Sequence, residues 1–474
     1  MALLAVALTT AVLYAAWTVW VPLLPENLYV PLLDLGKITG YTWRSALSFL
    51  CLVIGLYVLY AIGYRLVSRG GGGRVVIFGA GVLFCAELVW AYPATAADVF
   101  GYVAHGRLLA LHNANPFLVA PIEYPGDPIV PFLAFATEPS QYGPIWVLLG
   151  GALASLSRGD LLTEVLLYKV VAALAHVGGA AMIFQIAVRL GAHRERARAS
   201  AYLYLWNPML LWEMVANAHN DGVMMLFGLG AAWLFVAGVD VLVLPAVAAG
   251  ALVKVPLMPI APLFFISTWR RNPARAVEGA LLAIILAAVV YRPFWAGVDT
   301  LTVLRRTDLF TASFGSVLRL SLAPALGESV ATGLARWVSL GGFAAVALAV
   351  LWLATRAQSR HDVLRLVYFI LVGALLLLTT WFQAWYIVWP FAVGAALAEP
   401  RRHLEVALLS LGGLLQYFVF IYLWVMGYFP PNENLGVQAA AYLCVIGPLL
   451  VGALIVLARR PIASASTVLN NSIG

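Results

Sequence analysis

The chain has 474 residues, of which 63% are hydrophobic and 10% are charged, and its mean hydropathy is +0.93. Soluble domains carry about a quarter charged residues, so this composition excludes a water-soluble protein and predicts an all-α polytopic membrane protein. The formal charge of +7 comes without any basic run interleaved with aromatic residues. This pattern excludes a nucleic-acid partner and is typical of loops that face lipid headgroups.

The apolar segments predict about fourteen membrane-spanning helices, because a span needs roughly 20 apolar residues, and fewer where protein shields the helix. The first segment lacks a basic start and a cleavage site, so we interpret it as an uncleaved span. The predicted spans are 2–22, 45–66, 75–93, 161–189, 199–216, 221–238, 241–253, 256–268, 276–293, 333–355, 362–380, 386–398, 404–426 and 436–458.

Arginine-rich turns predict the orientation, since short cytoplasmic loops retain Lys and Arg. These turns fall on one side only if the apolar stretch 142–157 is a helix at the outer surface that does not cross the membrane. Residues 1–474 then form a single transmembrane domain of the cell membrane, with both termini in the cytoplasm. We expect the chemistry in the outer segments, which are the first large loop 94–160, a second loop 293–332 and the turn 381–386.

The first outer loop carries an acidic helix. If residues 97–112 are helical, one face carries Asp98, Tyr102, His105 and His112. Asp98 is then either an N-cap or a general base in a partly buried site. His105 and His112 would lie about 10 Å apart along the axis, which argues against a metal site. The side chains expected to point away toward lipid are Phe100, Val103 and Leu111.

Two further polar groups follow in the chain. The segment LLWEMVANAHNDGVMMLF concentrates Glu213, Asn217, His219, Asn220 and Asp221 in an outer turn. It is either a polar turn with Asp221 as a helix cap or a site that holds a hydroxylated ligand such as a sugar. In TTWFQAWYIVWPF, an aromatic belt explains Trp381, Trp385 and Tyr386 but not Gln383 between them, so a sugar ring or a prenyl chain is the second interpretation.

Cations on the outer side form the last group. Lys254 lies between two short apolar segments, at a break of the kind tolerated where backbone lines a cavity. Arg292, Arg305 and Arg306 lie in the second outer loop. A phosphate group would compensate these charges, whereas contact with lipid headgroups or pairing with Asp299 or Asp308 is the alternative for each arginine.

Together these elements resemble the C-type (GT-C) glycosyltransferases and, more narrowly, the bacterial polyprenol-phosphate-mannose-dependent mannosyltransferases. The resemblance runs from about residue 75 to 400. It depends on Asp98 in a large outer loop, Gln141-Tyr142-Gly143-Pro144 before a surface helix, His219-Asn220-Asp221 and Gln383-Ala384-Trp385-Tyr386. Two spans precede the catalytic loop in addition to the one expected from the family.

The resemblance implies an inverting enzyme that moves a sugar, with mannose favoured, from a polyprenyl-phosphate donor to a glycan or glycolipid acceptor at the extracytoplasmic face. Asp98 matches the family's catalytic acid and would deprotonate the acceptor hydroxyl. His219 and Asp221 match a polar turn near the sugar. Without an Asp-x-Asp pattern at Asp98, the metal-dependent oligosaccharyltransferase branch is disfavoured, so we expect neither a metal nor another cofactor.

Other functions are consistent with parts of the sequence. A lipid or sugar transporter or flippase would show repeated halves and ionisable residues near the membrane midplane, and only Lys254 fits that description. The clustering of polar residues at one face favours an enzyme. A transferase that uses another lipid-linked sugar is the alternative among enzymes.

Overall fold

The computed structural model describes residues 1–24, 27–304 and 309–458. In these ranges the regular secondary structure is helical, with isolated backbone bridges and no strands. The helices are α1 Ala2–Trp20, α2 Leu35–Thr39, α3 Trp43–Ser68, α4 Arg74–Leu88, α5 Asp98–Ala110, α6 Pro144–Ser157, α7 Leu161–Arg189, α8 Arg194–Leu205, α9 Pro208–Leu210, α10 Asp221–Ala237, α11 Val243–Ala251, α12 Ala261–Trp269, α13 Pro273–Tyr291, α14 Phe314–Leu326, α15 Glu328–Ala354, α16 Arg360–Gly373, α17 Val388–Ala396, α18 Pro400–Tyr417 and α19 Leu435–Ala458.

The all-α polytopic membrane class is confirmed, whereas the count of fourteen spans is not. In the described ranges, eight helices are long and apolar enough to cross a membrane, or nine if one bent pair counts as a span. The other predicted spans contain helices, but these are short or broken. Three of them are the short apolar helices Asp240–Ala251, Val255–Trp269 and Ala384–Ala396.

Helix α5 is buried on more sides than its sequence indicates. The predicted contact of Phe100 and Val103 with lipid is wrong, because both side chains are buried in the core. Phe132 packs on Phe100 at 5.4 Å between ring centroids, so the loop between α5 and α6 folds back over α5. Leu111 is exposed, as expected.

Helix α6 follows directly from the Gln141-Tyr142-Gly143-Pro144 element, with Pro144 as its first residue, where a missing N–H costs nothing. It packs closely on α5, since a Cβ on Gly106 would come within 2.6 Å of the Gly150 backbone. The predicted helix at 142–157 is therefore present, and it forms a pair with the acidic helix.

Two breaks in the helices bring polar residues together. The first separates 208–216 from α10 with a bend of 114°. The second separates α11 from α12 at Lys254. Gly143 docks against this second break, because its N–H donates to the Val253 carbonyl at 2.9 Å, and a Cβ at Gly143 would lie 2.1 Å from the Leu252 oxygen.

One buried ammonium connects the segment before α5 to the first break. Lys169 of α7 is fully buried and donates to the Ala91 carbonyl at 2.7 Å and to the Ala216 carbonyl. Ala91 precedes Asp98, and Ala216 precedes His219. A single side chain thus fixes the two segments relative to each other.

Candidate active site

A cavity of about 240 Å³ opens at the start of α5. It collects residues from the helix break at Lys254, from the loops on either side of α5 and from the 381–386 turn, although these are up to 291 positions apart in sequence. Of the residues that the sequence predicts for a site, it is lined by Asp98, His105, Tyr142, Lys254, Trp385 and Tyr386.

Asp98 is the acid at this cavity. It occupies the first position of α5, with Ala97 as the N-cap, and its side chain makes no capping hydrogen bond, so the interpretation of Asp98 as a cap is wrong. Oδ1 accepts a hydrogen bond from the Tyr142 hydroxyl at 3.2 Å. The side chain remains 29% exposed, so the carboxylate can contact a bound molecule.

His219 lies between two carboxylates. Its Nδ1 is 3.6 Å from Oδ2 of Asp98, and its Nε2 is 3.3 Å from Oε2 of Glu213. The imidazole and Glu213 are fully buried. Trp385 stacks on the imidazole at 3.9 Å between ring centroids, which fixes the plane of the ring. The three residues form a row of acid, imidazole and acid that ends at the cavity.

The turn that carries His219 combines a strained backbone with several buried polar side chains. Ala218 has a φ of +58°, a conformation that disfavours residues with a Cβ. Asn217 donates to Glu213 at 2.9 Å and to the Thr95 hydroxyl at 2.6 Å. Such strain and buried polar density persist where surrounding structure holds them. The turn is therefore held from Thr95, three residues before Asp98.

Burial sets the protonation of two groups beside Asp98. It lowers the pKa of His105 to about 4, so this imidazole is neutral near pH 7. Burial, followed by the charge of Asp98, raises the pKa of Tyr142 well above its usual value. Tyr142 therefore stays protonated and donates to Asp98.

Lys254 also lines the Asp98 cavity. Its ammonium contacts Oδ2 of Asp221 at 2.6 Å and lies 4.9 Å from the centroid of the Tyr386 ring. Asp221 also accepts from the Trp389 indole at 2.7 Å. Asp221 binds Lys254 and Trp389 and is not the N-cap of α10, which is Asn220, so the interpretation as a cap is wrong here too.

The other predicted site residues are distributed differently. Tyr102 and Asn220 are buried behind the cavity and are joined by a hydrogen bond of 3.3 Å. Gln383 lines a neighbouring cavity. Arg292 is exposed and does not line the Asp98 cavity, and Arg305 and Arg306 lie outside the described residues.

Three residues that contact the site have no role that follows from the sequence alone: Thr95, Glu213 and Trp389. Glu213 could have been found from its position in the apolar run LLWEMVA, where a carboxylate is costly. Trp389 follows Trp385 by four residues, a spacing that places both on one helical face. Thr95 has no distinguishing sequence signal.

Two larger cavities adjoin the Asp98 cavity. The second, of about 490 Å³, shares Thr95, Ala96, Ala97 and Trp381 with it. The third, of about 420 Å³, shares Gln141, Lys254, Trp381 and Tyr386 with it. The Asp98 cavity therefore has one neighbour beside the acid and one beside the ammonium.

Comparison with known proteins agrees with this architecture. A family model described as "Alpha-(1->6)-mannopyranosyltransferase, N-terminal domain" matches residues 3–271. Alpha-(1->6)-mannopyranosyltransferase A of Mycobacterium tuberculosis is 25% identical over 449 residues, which cover 86% of this chain and 82% of that relative. Alpha-(1->6)-mannopyranosyltransferase B of Corynebacterium glutamicum is 27% identical over 168 residues, or 34% of this chain and 27% of that relative.

Fold, cavity and relatives together define a membrane glycosyltransferase of the mannosyltransferase class. More narrowly, the chain belongs to the family described by the matching model, because that match spans more than half of its length. The predicted resemblance to membrane mannosyltransferases is confirmed.

Proposed function

We propose that the protein transfers a mannosyl unit from a polyprenyl-phosphate donor to a hydroxyl of a glycan or glycolipid acceptor, with inversion at the anomeric carbon and Asp98 as the general base. The observation that carries this proposal is that Asp98 and Lys254 line the same cavity. A base and a cation at one cavity suit a single displacement, in which one accepts the proton of the attacking hydroxyl and the other binds the leaving phosphate.

The carboxylate of Asp98 accepts the proton in the first part of the reaction. The acceptor hydroxyl gives its proton to a carboxylate oxygen of Asp98 while its oxygen forms a bond to the anomeric carbon. Tyr142 donates to Oδ1 of Asp98, and the imidazole of His219 lies 3.6 Å from Oδ2, so both carboxylate oxygens have a neighbour that orients the acid. Glu213 faces the far nitrogen of His219 and is a positioning residue.

The ammonium of Lys254 binds the phosphate leaving group. As the acceptor bond forms, the bond from the anomeric carbon to the phosphate oxygen breaks, and the electron pair leaves on the polyprenyl phosphate. Lysine has three donors, of which one contacts Asp221, so the others can bind phosphate oxygens. The third cavity beside Lys254 is bordered by Val255, Pro256, Met258 and Leu378, an apolar border suited to a prenyl chain.

The extracytoplasmic location of the site is part of the proposal. It is supported by the arginine-rich turns at 194–198 and 356–365, of which the first is joined by α7 to the loop that carries Asp98. Because short cytoplasmic loops retain arginine, these turns favour the opposite, extracytoplasmic face for Asp98.

Reconstituted protein with synthetic polyprenyl-phosphate mannose and mannoside acceptors tests the proposal. We expect product from wild type and a loss of about 10²–10⁴-fold in kcat for Asp98→Asn, the range that general bases contribute. Asp160→Asn is the matched control, because Asp160 is exposed and caps α7, and asparagine caps equally well. Equal rates for wild type and Asp98→Asn would remove Asp98 from the mechanism.

A further inference from the structure

A further cavity lies away from the Asp98 cavity, where the ends of helices α12 and α15 meet. It encloses about 520 Å³, and we call it the Trp269 cavity. It is lined by Phe265, Ile266, Trp269, Arg270 and Thr355. It shares no lining residue with the Asp98 cavity or with the two cavities that adjoin it. A molecule bound here would therefore not compete with the substrates of the transfer reaction.

The Trp269 cavity lies where membrane-spanning helices end. Helix α15 is long and apolar enough to cross a membrane, and Thr355 directly follows its last residue. Helix α13 is another such helix, and it begins at Pro273, three residues after Arg270. Trp269 and Trp352 are 46% and 54% exposed, and exposed tryptophans concentrate at membrane–water interfaces. The cavity is therefore at the boundary between lipid acyl chains and headgroups.

The walls of the cavity combine apolar side chains with one cation. Phe265 and Ile266 lie about one helical turn before Arg270, and Trp269 packs on Phe265 at 5.7 Å between ring centroids. Arg270 is exposed, and its side-chain hydrogen bonds to described residues come from Nη1 alone, which donates to two backbone carbonyls at the end of α15. Its Nε and Nη2 are left to bind phosphate oxygens, for which the planar guanidinium is well shaped.

The charges around the cavity favour an anionic ligand. The turns 270–275 and 355–360 contain five arginines and no carboxylate. Asp240 pairs with two of these arginines, at 3.7 Å and 2.7 Å. The other three form no ion pair with a described residue, and they are Arg270, Arg275 and Arg356. This end of the molecule therefore carries positive charge that its own carboxylates do not compensate.

We propose that the Trp269 cavity binds one anionic phospholipid, with the phosphodiester on Arg270 and the start of an acyl chain against Phe265 and Ile266. A zwitterionic lipid would add a cation where positive charge is already in excess, so an anionic headgroup is preferred. The bound lipid would contact both α12 and α15 and hold their ends together. The proposal does not depend on the transfer reaction.

Photocrosslinking of the full chain in detergent micelles tests the site. The probes are phosphatidylglycerol and phosphatidylcholine with the same diazirine-bearing acyl chain, and mass spectrometry of peptides locates the adducts. We expect phosphatidylglycerol to label residues 265–270 or 352–355 with about tenfold higher affinity than phosphatidylcholine does. Arg270→Gln should weaken this labelling about tenfold, as loss of a charged hydrogen bond does. Arg275→Gln is the matched control, because Arg275 is exposed in the same turn and does not line the cavity.

A second variant covers the case in which Arg270→Gln fails to fold. Thr355→Tyr fills the cavity and leaves Arg270 and its backbone acceptors in place, so it should also remove the labelling. Equal labelling by the two lipids, labelling that survives Thr355→Tyr, or an equal loss in Arg275→Gln would overturn the lipid site. Displacement of the probe by soluble glycerol 3-phosphate would also overturn it, because the cavity would then bind a free phosphate compound. None of these outcomes depends on the donor or the acceptor.

Discussion

The two ends of helix α5 carry two buried charge clusters that differ in how completely they are paired. At its last turn, Arg107 bonds Glu164 and Asp127 at 3.0 Å each, and also the Gly159 carbonyl. Among the described residues of this cluster, Oε1 of Glu164 is the one buried atom without a hydrogen bond. At its first turn, Asp98 leads into a cluster whose members retain unpaired polar atoms. Among the described residues, buried atoms without a hydrogen bond occur in Glu213, Asn217, His219 and Asn220.

This difference distinguishes a cluster that joins parts of the fold from the cluster that we propose to be catalytic. A buried arginine with two carboxylates holds the loop after α5 to α7, and the cavity beside it shares no lining residue with the Asp98 cavity. Incomplete pairing next to a cavity is costly, and proteins accept such local conflicts where function requires them. Pairing and access to a cavity therefore favour the Asp98 cluster as the functional one more strongly than charge alone does.

Breaking the Arg107 cluster should have the largest effect on the fold. Arg107→Met leaves Asp127 and Glu164 buried without their cation, and loss of one partner of a buried ion pair costs about 3–5 kcal/mol. Thermal unfolding in detergent should show a large drop in Tm, with activity lost in parallel. Arg158→Met is the control, because Arg158 is exposed and lies two residues before Asp160 in the same loop, and it should change Tm little. Equal Tm values for both variants would show that the cluster does not stabilise the loop.

Breaking the Asp98 cluster should affect catalysis and spare the fold. His219→Gln removes the imidazole between Asp98 and Glu213, and misplacement of a catalytic group can cost about 100-fold. We expect kcat to fall by this factor while Tm and the donor KM stay close to wild type. His193→Gln, at an exposed helix start, controls for loss of an imidazole. A drop in Tm without a selective fall in kcat would assign His219 to the structural class.

The smallest effect concerns acid stability. Burial alone would raise the pKa of Asp127, but hydrogen bonds from His112 and the Ile129 N–H, and the charge of Arg107, outweigh it and hold the pKa below its usual value. A carboxyl whose pKa is lowered by folding stabilises the protein above its unfolded pKa of about 3.9, and this contribution disappears as pH falls through the lower folded value. The difference in Tm between wild type and Asp127→Asn should therefore shrink below about pH 4; parallel curves would contradict this account.

The sequence predicted the membrane class and the helical positions, because long apolar runs determine both. It also predicted that Asp98, Tyr142 and His219 belong together, although only by resemblance to a family, and it placed Lys254 in a separate cationic group. Their contacts could not be read from the sequence. They depend on a 114° bend and on a left-handed Ala218, for which neighbouring residues give no signal.

Sequence proximity was misleading at one motif. Gln383, Trp385 and Tyr386 are adjacent in the chain, yet Gln383 lines the second cavity whereas Trp385 and Tyr386 line the Asp98 cavity. The chain changes from extended at Gln383 to a 3₁₀ turn at Ala384, so successive side chains diverge. A motif in this position can therefore line two different cavities.

The Lys169 clamp has a consequence for how such an enzyme can change over evolution. Because the Lys169 side chain binds both the Ala91 and Ala216 carbonyls, the spacing of Asp98 and His219 depends on a residue that lines none of the three cavities. Substitutions in the cavity walls can then change what the cavities bind while Asp98 and His219 keep their spacing.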